Sequence, residues 1–345
     1  MTAPRLTLTG TGAVTSAGWG IEALMSALAS GTPLAPGELV RERPGRPPVI
    51  SRVLRVPAPE ASTSLPKNPR LRRVSPISKY AAAAAVEAVG PQRMALANEG
   101  ALRIGVVCAL MNGCVNYSNR FFGEVRHDPS VASPILFPET VFNAPSSHLS
   151  AILASHAPND TIVGDGAEFF TALEIATEWL LRGDCDGCVV VALEEMDWLS
   201  AEALAMYSRG YVASEGAAAI YLELDGQGPR LLAVPDPVLL GQGVDRAAAL
   251  RLLVNASGSY DEGRTLLSDS RSGVARYDRA ESEVFANWRG PRMSIRRILG
   301  ESLGASSGIQ CVAAVEALRR GQADQALVVA MGGNEQVAGC LLARD

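Results

Sequence analysis

The chain has little of two residue types on which chemistry often depends. Its 345 residues include three histidines, His127, His148 and His156, and two lysines, Lys67 and Lys79. The net charge is −5, so the broad positive field of a nucleic-acid binder is missing. No apolar run approaches the roughly 18 residues that span a bilayer. The opening MTAPRLTLTGTGAVTSAG lacks the continuous apolar core of a secretory signal. These absences lead us to expect a cytoplasmic protein with no nucleic-acid or membrane partner, whose six cysteines stay reduced. Cys185 and Cys188 form a CxxC, but no second CxxC and no histidine cluster accompanies it. It reads as two small buried residues at a strand start, against a metal or redox pair.

What is present fits an ordinary globular chain, with 48% hydrophobic and 19% charged residues. It is long enough for two domains or a fused pair of half-domains. An internal match favours the pair. Residues 173–193, LEIATEWLLRGDCDGCVVVAL, resemble residues 311–331, CVAAVEALRRGQADQALVVAM. Each reads as an amphipathic helix, an Arg-Gly, an Asp and an apolar strand. Gly183 and Gly321 suit helix ends that need a left-handed backbone. The runs 189–193 and 327–331 are apolar without alternation and suit buried strands. Two copies of one α/β unit follow.

Further strands are expected at 6–10, 103–108, 161–163, 217–223 and 266–268. Helices are expected at 20–29, 78–88, 147–156, 169–182 and 307–319. Alternating strands and helices imply an α/β fold in layers. The halves, 1–226 and 227–345, meet at the loop chemistry of Asp225-Gly226-Gln227-Gly228. Residues 31–76 hold ten of the 21 prolines and read as an extended excursion or a mobile surface loop. The stretch is basic within an acidic chain. It is either a solvated surface or a docking patch for an acidic partner, with Arg70, Arg72 and Arg73 as candidates.

Several segments, taken in order, resemble β-ketoacyl synthases, the condensing enzymes of the thiolase fold. They are LTGTGAVTSAGWGIEALMSALASGTP, RRVSPISKYAAAAAVEAV, TIVGDGAEFFTALEIATEWLLRGDCDGCVVVALEE, GYVASEGAAAIYLELD, YDRAESEVF and MGGNEQVAGCLL. The resemblance implies two similar βαβαβ halves stacked as α/β/α/β/α. Active members use a cysteine nucleophile and two histidines. Carried over residue by residue, the cysteine falls at Gly166, the first histidine at Ser270 and the second at Glu301. The lysine of the last motif falls near Arg296. Asp278 and Glu281 match the acidic pair after the first histidine motif. Without a nucleophile or a histidine the pocket is expected to be dead for condensation. Glu301 would add a charge that repels a malonyl carboxylate. No cofactor or metal is implied.

The family includes inactive subunits, the chain length factors of type II polyketide synthases. They pair with an active ketosynthase across the strand before the nucleophile turn, here 160–165. They shape the acyl tunnel at that interface, and the growing chain rides on the phosphopantetheine of an acyl carrier protein. The resemblance places the tunnel positions at Cys114, Tyr117 and Phe121, which share one helical face; core or interface packing is the plainer reading. Compact loops at 197–213 and 229–262, with glycine at the cysteine position, favour a divergent branch such as a polyene system. Two other readings stand beside this one. One is a homodimeric pseudoenzyme scaffold that binds acyl chains or a carrier protein. The other is an enzyme with non-condensing chemistry that uses Asp165 and Glu168, unless these acids pair with arginines or cap the following helix. His148 is expected to be structural.

Overall fold

The computed structural model describes residues 4–60, 66–241, 243–333 and 336–345. One twelve-stranded sheet carries the fold: ten principal strands, and two two-residue strands, Gly18–Trp19 and Val238–Leu239, that pair beside them. Its first half comprises β1 (Leu6–Thr15), β4 (Ile104–Leu110), β5 (Asn159–Val163), β6 (Gly187–Glu194) and β7 (Gly216–Leu224). Its second half comprises β8 (Arg230–Ala233), β9 (Thr265–Asp269), β10 (Arg292–Ser294), β11 (Gln325–Met331) and β12 (Gln336–Ala343). A separate hairpin holds β2 (Gly37–Arg43) and β3 (Arg46–Leu54).

The internal match is visible in the strand pairing. From β1 outward, the first half runs β1-β7-β6-β4-β5. Its pairings are antiparallel, antiparallel, parallel and parallel. From β8 outward, the second half runs β8-β12-β11-β9-β10 with the same four. The matched Arg-Gly pairs end helices with φ 74° at Gly183 and φ 69° at Gly321. Asp186 ion-pairs with Arg103 at 2.7 Å, just before β4. Asp324 ion-pairs with Arg264, just before β9. The same clasp therefore closes the same corner of both halves.

Helices α5 (Phe169–Arg182) and α9 (Gly304–Arg319) pack between the halves and touch strands of both. In α9 every residue from Gly304 to Leu318 is buried, as expected of a helix covered all round. Small residues permit this approach. A Cβ on Gly308 would lie 2.3 Å from the Ala192 methyl. Outside the first half lie α2 (Pro76–Asn98) and α4 (Ala144–Ile152), and outside the second lie α7 (Arg246–Ala256) and α8 (Ala275–Val284). Five layers result. All of β4 and β6 is buried, which accounts for their unbroken apolar runs. Among the described residues no helix is long and apolar enough to cross a membrane.

Several expectations need adjustment. The helix expected at 147–156 spans Ala144–Ile152 instead. The helix expected at 78–88 continues to Asn98 past a kink at Gly90-Pro91, where proline removes a backbone donor. The loops 197–213 and 229–262 contain α6 (Trp198–Tyr207) and α7. Much of the 31–76 excursion is the hairpin, turned by Pro44-Gly45 with Gly45 at φ 69°. Its residues 61–65 lie outside the described ones. Cys185 and Cys188 are buried free thiols where β6 begins. No metal-holding group of side chains occurs among the described residues.

Helix α2 lies unusually close to β1. A Cβ on Gly12 would stand 2.0 Å from the Ala84 carbonyl oxygen. Gly12→Ala is therefore expected to destabilise the fold by at least about 2 kcal/mol in urea unfolding. Gly123, in the exposed middle of α3 (Val115–His127), has nothing within 4 Å of a built Cβ. Gly123→Ala should stabilise by about 0.5–1 kcal/mol.

Candidate functional site

Three stretches far apart in sequence meet at one cavity of about 380 Å³. Gly164 to Gly166 follow the carboxyl end of β5, Ser270 follows β9, and Met331 closes β11. Open α/β sheets place ligand sites at such strand ends. Glu301 reaches the cavity from the turn before α9. Its backbone is pinned there, because its N–H donates to the Val212 carbonyl and its own carbonyl accepts from Ser214 N–H, both at 2.8 Å. The positions matched to the cysteine and both histidines thus line one cavity.

Their side chains are committed to local bonds. Gly166 has an ordinary backbone, and a Cβ there would meet the Leu303 carbonyl oxygen at 3.3 Å. Ser270 Oγ donates to Glu281 Oε1 at 2.7 Å and accepts from the Met331 N–H at 3.0 Å. Glu301 ion-pairs with buried Arg296 at 2.9 Å. It also accepts from Leu303 N–H and Ser306 Oγ, each at 2.9 Å. The expectation that Glu301 presents a repelling charge is therefore corrected: Arg296 balances it. These bonds hold Leu303 at φ 48°, a backbone strain that persists where its surroundings over-determine it.

The remaining acids are also occupied. Asp278 accepts from the N–H groups of Ser272 and Gly273 at 2.9 and 2.8 Å. Asp165 accepts from Ala167 N–H at 2.9 Å and caps the turn into α5. Glu168 accepts from Gln336 Nε2 at 2.7 Å and does not line the cavity. Asp165 thus binds the turn into α5, in line with the expected capping of the following helix, and Glu168 binds the last strand. Burial, and then the charge of Asp269, raises the Glu281 carboxyl to about 7. None of the three histidines lines the cavity. His148 bonds Glu139 at 2.9 Å, away from it.

The other candidates lie elsewhere. Cys114 is buried at the start of α3, and its thiol lies 3.8 Å from the Val141 carbonyl. Tyr117 and Phe121 are half-buried, and Phe121 packs on Phe137 at 5.5 Å between ring centroids. None of the three lines the cavity. Helix α3 has no buried residue. Arg70, Arg72 and Arg73 are exposed on a short 3₁₀ turn capped by Asn68. Sequence reasoning missed Arg246, Arg276 and Arg279, and the tyrosines beside them. The stretch RSGVARYDRAE shows an unusual density of Arg and Tyr beside the Ser270 motif, which could have marked them.

No curated protein matches the sequence. Residues 59–226 match the β-ketoacyl synthase N-terminal domain. The ishigamide ketosynthase/chain length factor is similar with TM-score 0.80 and 18% identity, over 99% of each chain. A ketosynthase in complex with its chain length factor from Xenorhabdus doucetiae is similar with TM-score 0.81 and 16% identity, over 99% of this chain and 98% of that one. A β-ketoacyl synthase from Burkholderia phymatum STM815 gives TM-score 0.76 and 16% identity, over 99% and 100%.

Two predictions follow from the geometry. Gly166→Cys should fold, because only a few tenths of an ångström must be found against Leu303. Iodoacetamide should label the new thiol, since position 166 faces the cavity, yet malonyl turnover should stay absent. Labelling no faster than that of the six buried native thiols would refute this placement. The second concerns Glu281. Its folded-state value of about 7 lies above the ordinary value of about 4.3. The folded chain then holds a proton that the unfolded chain has lost, so stability should fall as pH rises from about 5 through 7. Glu281→Gln should flatten that slope by up to one proton in urea titrations across this range.

Proposed function

We propose that this ketosynthase-fold chain is a non-catalytic, chain length factor-like subunit. It pairs with an active ketosynthase and shapes the acyl tunnel at their interface during type II polyketide elongation. The observation that carries the reading is the cavity itself. The three positions matched to catalytic residues converge there, yet they hold glycine, a serine bonded to Glu281 and a glutamate bonded to Arg296. Removal of nucleophile and histidines together leaves no acyl carrier and no oxyanion donor of the usual kind.

The surface supports pairing. Strand β5 is the sheet's edge, with β4 on one side and no further strand among the described residues. An open edge of this kind is a template for another chain. The strand exposes Val163 at 49%, and α3 and the segment after it expose Phe122 at 60%, Ile135 at 62% and Phe137 at 56%. Exposed large apolar side chains of this kind fit a subunit contact. Helix α3, with Tyr117 and Phe121, belongs to the same region of chain, which fits a tunnel wall completed by a partner. A carrier protein bearing the phosphopantetheine-linked chain is the second partner of this reading, with Arg70, Arg72 and Arg73 as its docking cations. The compact loops favour service in a polyene pathway.

Co-expression with an active ketosynthase from the same gene neighbourhood should give a stable 1:1 complex. Val163→Lys should abolish that complex while far-UV circular dichroism stays unchanged. A homodimer with no affinity for a synthase would overturn the reading in favour of a scaffold. In the intact complex, Tyr117→Ala or Phe121→Ala should lengthen the product measured by mass spectrometry. Unchanged length in both variants would remove these residues from the tunnel wall.

A further inference from the structure

The cavity at Gly166 is vestigial for condensation in the reading above, yet it remains a formed cavity with its own chemistry. Its wall has an apolar side, with Met111, Leu204, Leu303 and Met331. It also has an aromatic side, where Tyr211 and Tyr277 stack with ring centroids 5.3 Å apart. The Tyr277 hydroxyl donates to the Tyr207 carbonyl at 3.0 Å and so joins α8 to the end of α6. At about 380 Å³ the space suits a small ligand, since ligand pockets begin at roughly 300 Å³.

Charge is divided between inside and rim. The carboxylates that line the cavity are engaged by donors of the chain. Asp165 binds Ala167 N–H, Asp278 binds Ser272 and Gly273 N–H, Glu281 binds Ser270, and Glu301 binds Arg296. The rim is different. A second hollow shares Tyr207, Arg246, Tyr277 and Gly333 with the first and adds Arg276 and Arg279. Among the described residues none of these three arginines makes a salt bridge. Arg246 is already oriented, because its guanidinium donates to the carbonyls of Gly332 and Gly333. Arg276 lies over the Tyr277 ring at 5.5 Å. Three guanidinium groups with no carboxylate partner among the described residues, at the mouth of an apolar and aromatic hollow, match a ligand with a charged head and an apolar body.

We propose that this cavity is a ligand site for a small amphiphile with an anionic head, a carboxylate or a phosphate monoester. The head rests on Arg246, Arg276 and Arg279, and the chain or ring enters between Tyr211, Tyr277 and Leu204. No bond is made or broken. The site would let the subunit respond to an acid or phosphate ester in solution without a nucleophile of its own. The inference holds whether or not the chain pairs with a synthase, so its failure would leave the pairing proposal untouched.

The test uses the purified full-length protein, alone and with any partner subunit, and isothermal titration calorimetry. The probes are octanoate, octyl phosphate and the uncharged octanol. One or both anionic probes should bind at least tenfold tighter than octanol, and that advantage should shrink as salt is raised. The double variant Arg276→Ala/Arg279→Ala should lose most of the advantage while octanol binding stays the same. Both arginines are exposed, so the variant should fold, and circular dichroism checks this. Leu204→Trp, which fills the apolar side, should weaken all three probes. Equal binding of octanol and the anions, an unaltered preference in the double variant, or no binding of any probe below 10 mM would each overturn the proposal.

Discussion

Two buried glutamates at the end of β6 hold the functional face together. Glu194 and Glu195 are completely buried, a placement that costs several kcal/mol unless each oxygen finds donors. They find them in loops from separate parts of the chain. Glu194 accepts from the N–H groups of Met111 and Asn112 after β4. Glu195 accepts from Ser75 and Ile77 at the start of α2 and from Asn116 at the start of α3. Glu215 extends the arrangement to Val56 N–H, Met196 N–H and the Tyr80 hydroxyl. Burial raises the carboxyls of both Glu194 and Glu195, that of Glu194 to about 8, while these donors pull them back. One sheet end thereby fixes the starts of α2 and α3, the segment after the hairpin, and Met111 of the cavity wall.

That scaffold leaves the positions matched to catalytic residues free to hold other side chains without loss of the fold. Each of the three positions is accommodated by a neighbour close at hand. Ser270 bridges Glu281 and the Met331 N–H, so it joins strands β9 and β11 to α8. Glu301 takes Arg296, a residue on its own turn, and steadies the strained Leu303. Gly166 needs nothing, since its turn is capped by Asp165. A buried unpaired charge would have been far more costly than any of these local bonds.

Much of the architecture was legible in the sequence, because its signals are local. Residues 173–193 and 311–331 announced the duplicated unit through Arg-Gly turns and apolar strands, and those glycines are left-handed in the structure. The motif spacing also named Gly166, Ser270 and Glu301, which do meet. Pairings across long distances were not legible. Nothing near Glu301 said that Arg296 would balance it rather than lie apart, since that depends on the turn through Gly300. The helix Trp198–Tyr207 was hidden because its apolar residues show no clear period. The arginine rim draws Arg246 and Arg276 from two helices of the second half, and only the folded chain shows them together.

The two central helices have one more effect. Helices α5 and α9 are the matched elements of the two halves, and both begin at the same place, with Leu303 O only 3.3 Å from a Cβ built on Gly166. Peptide dipoles in a helix sum to about half a positive charge at its amino end. Two such ends, from helices of 14 and 16 residues, lie close together beside the cavity. Duplication of the half-domain therefore concentrated a positive potential at the cavity before any side chain was chosen. That potential belongs to the backbone. It survives every substitution at 166, 270 or 301.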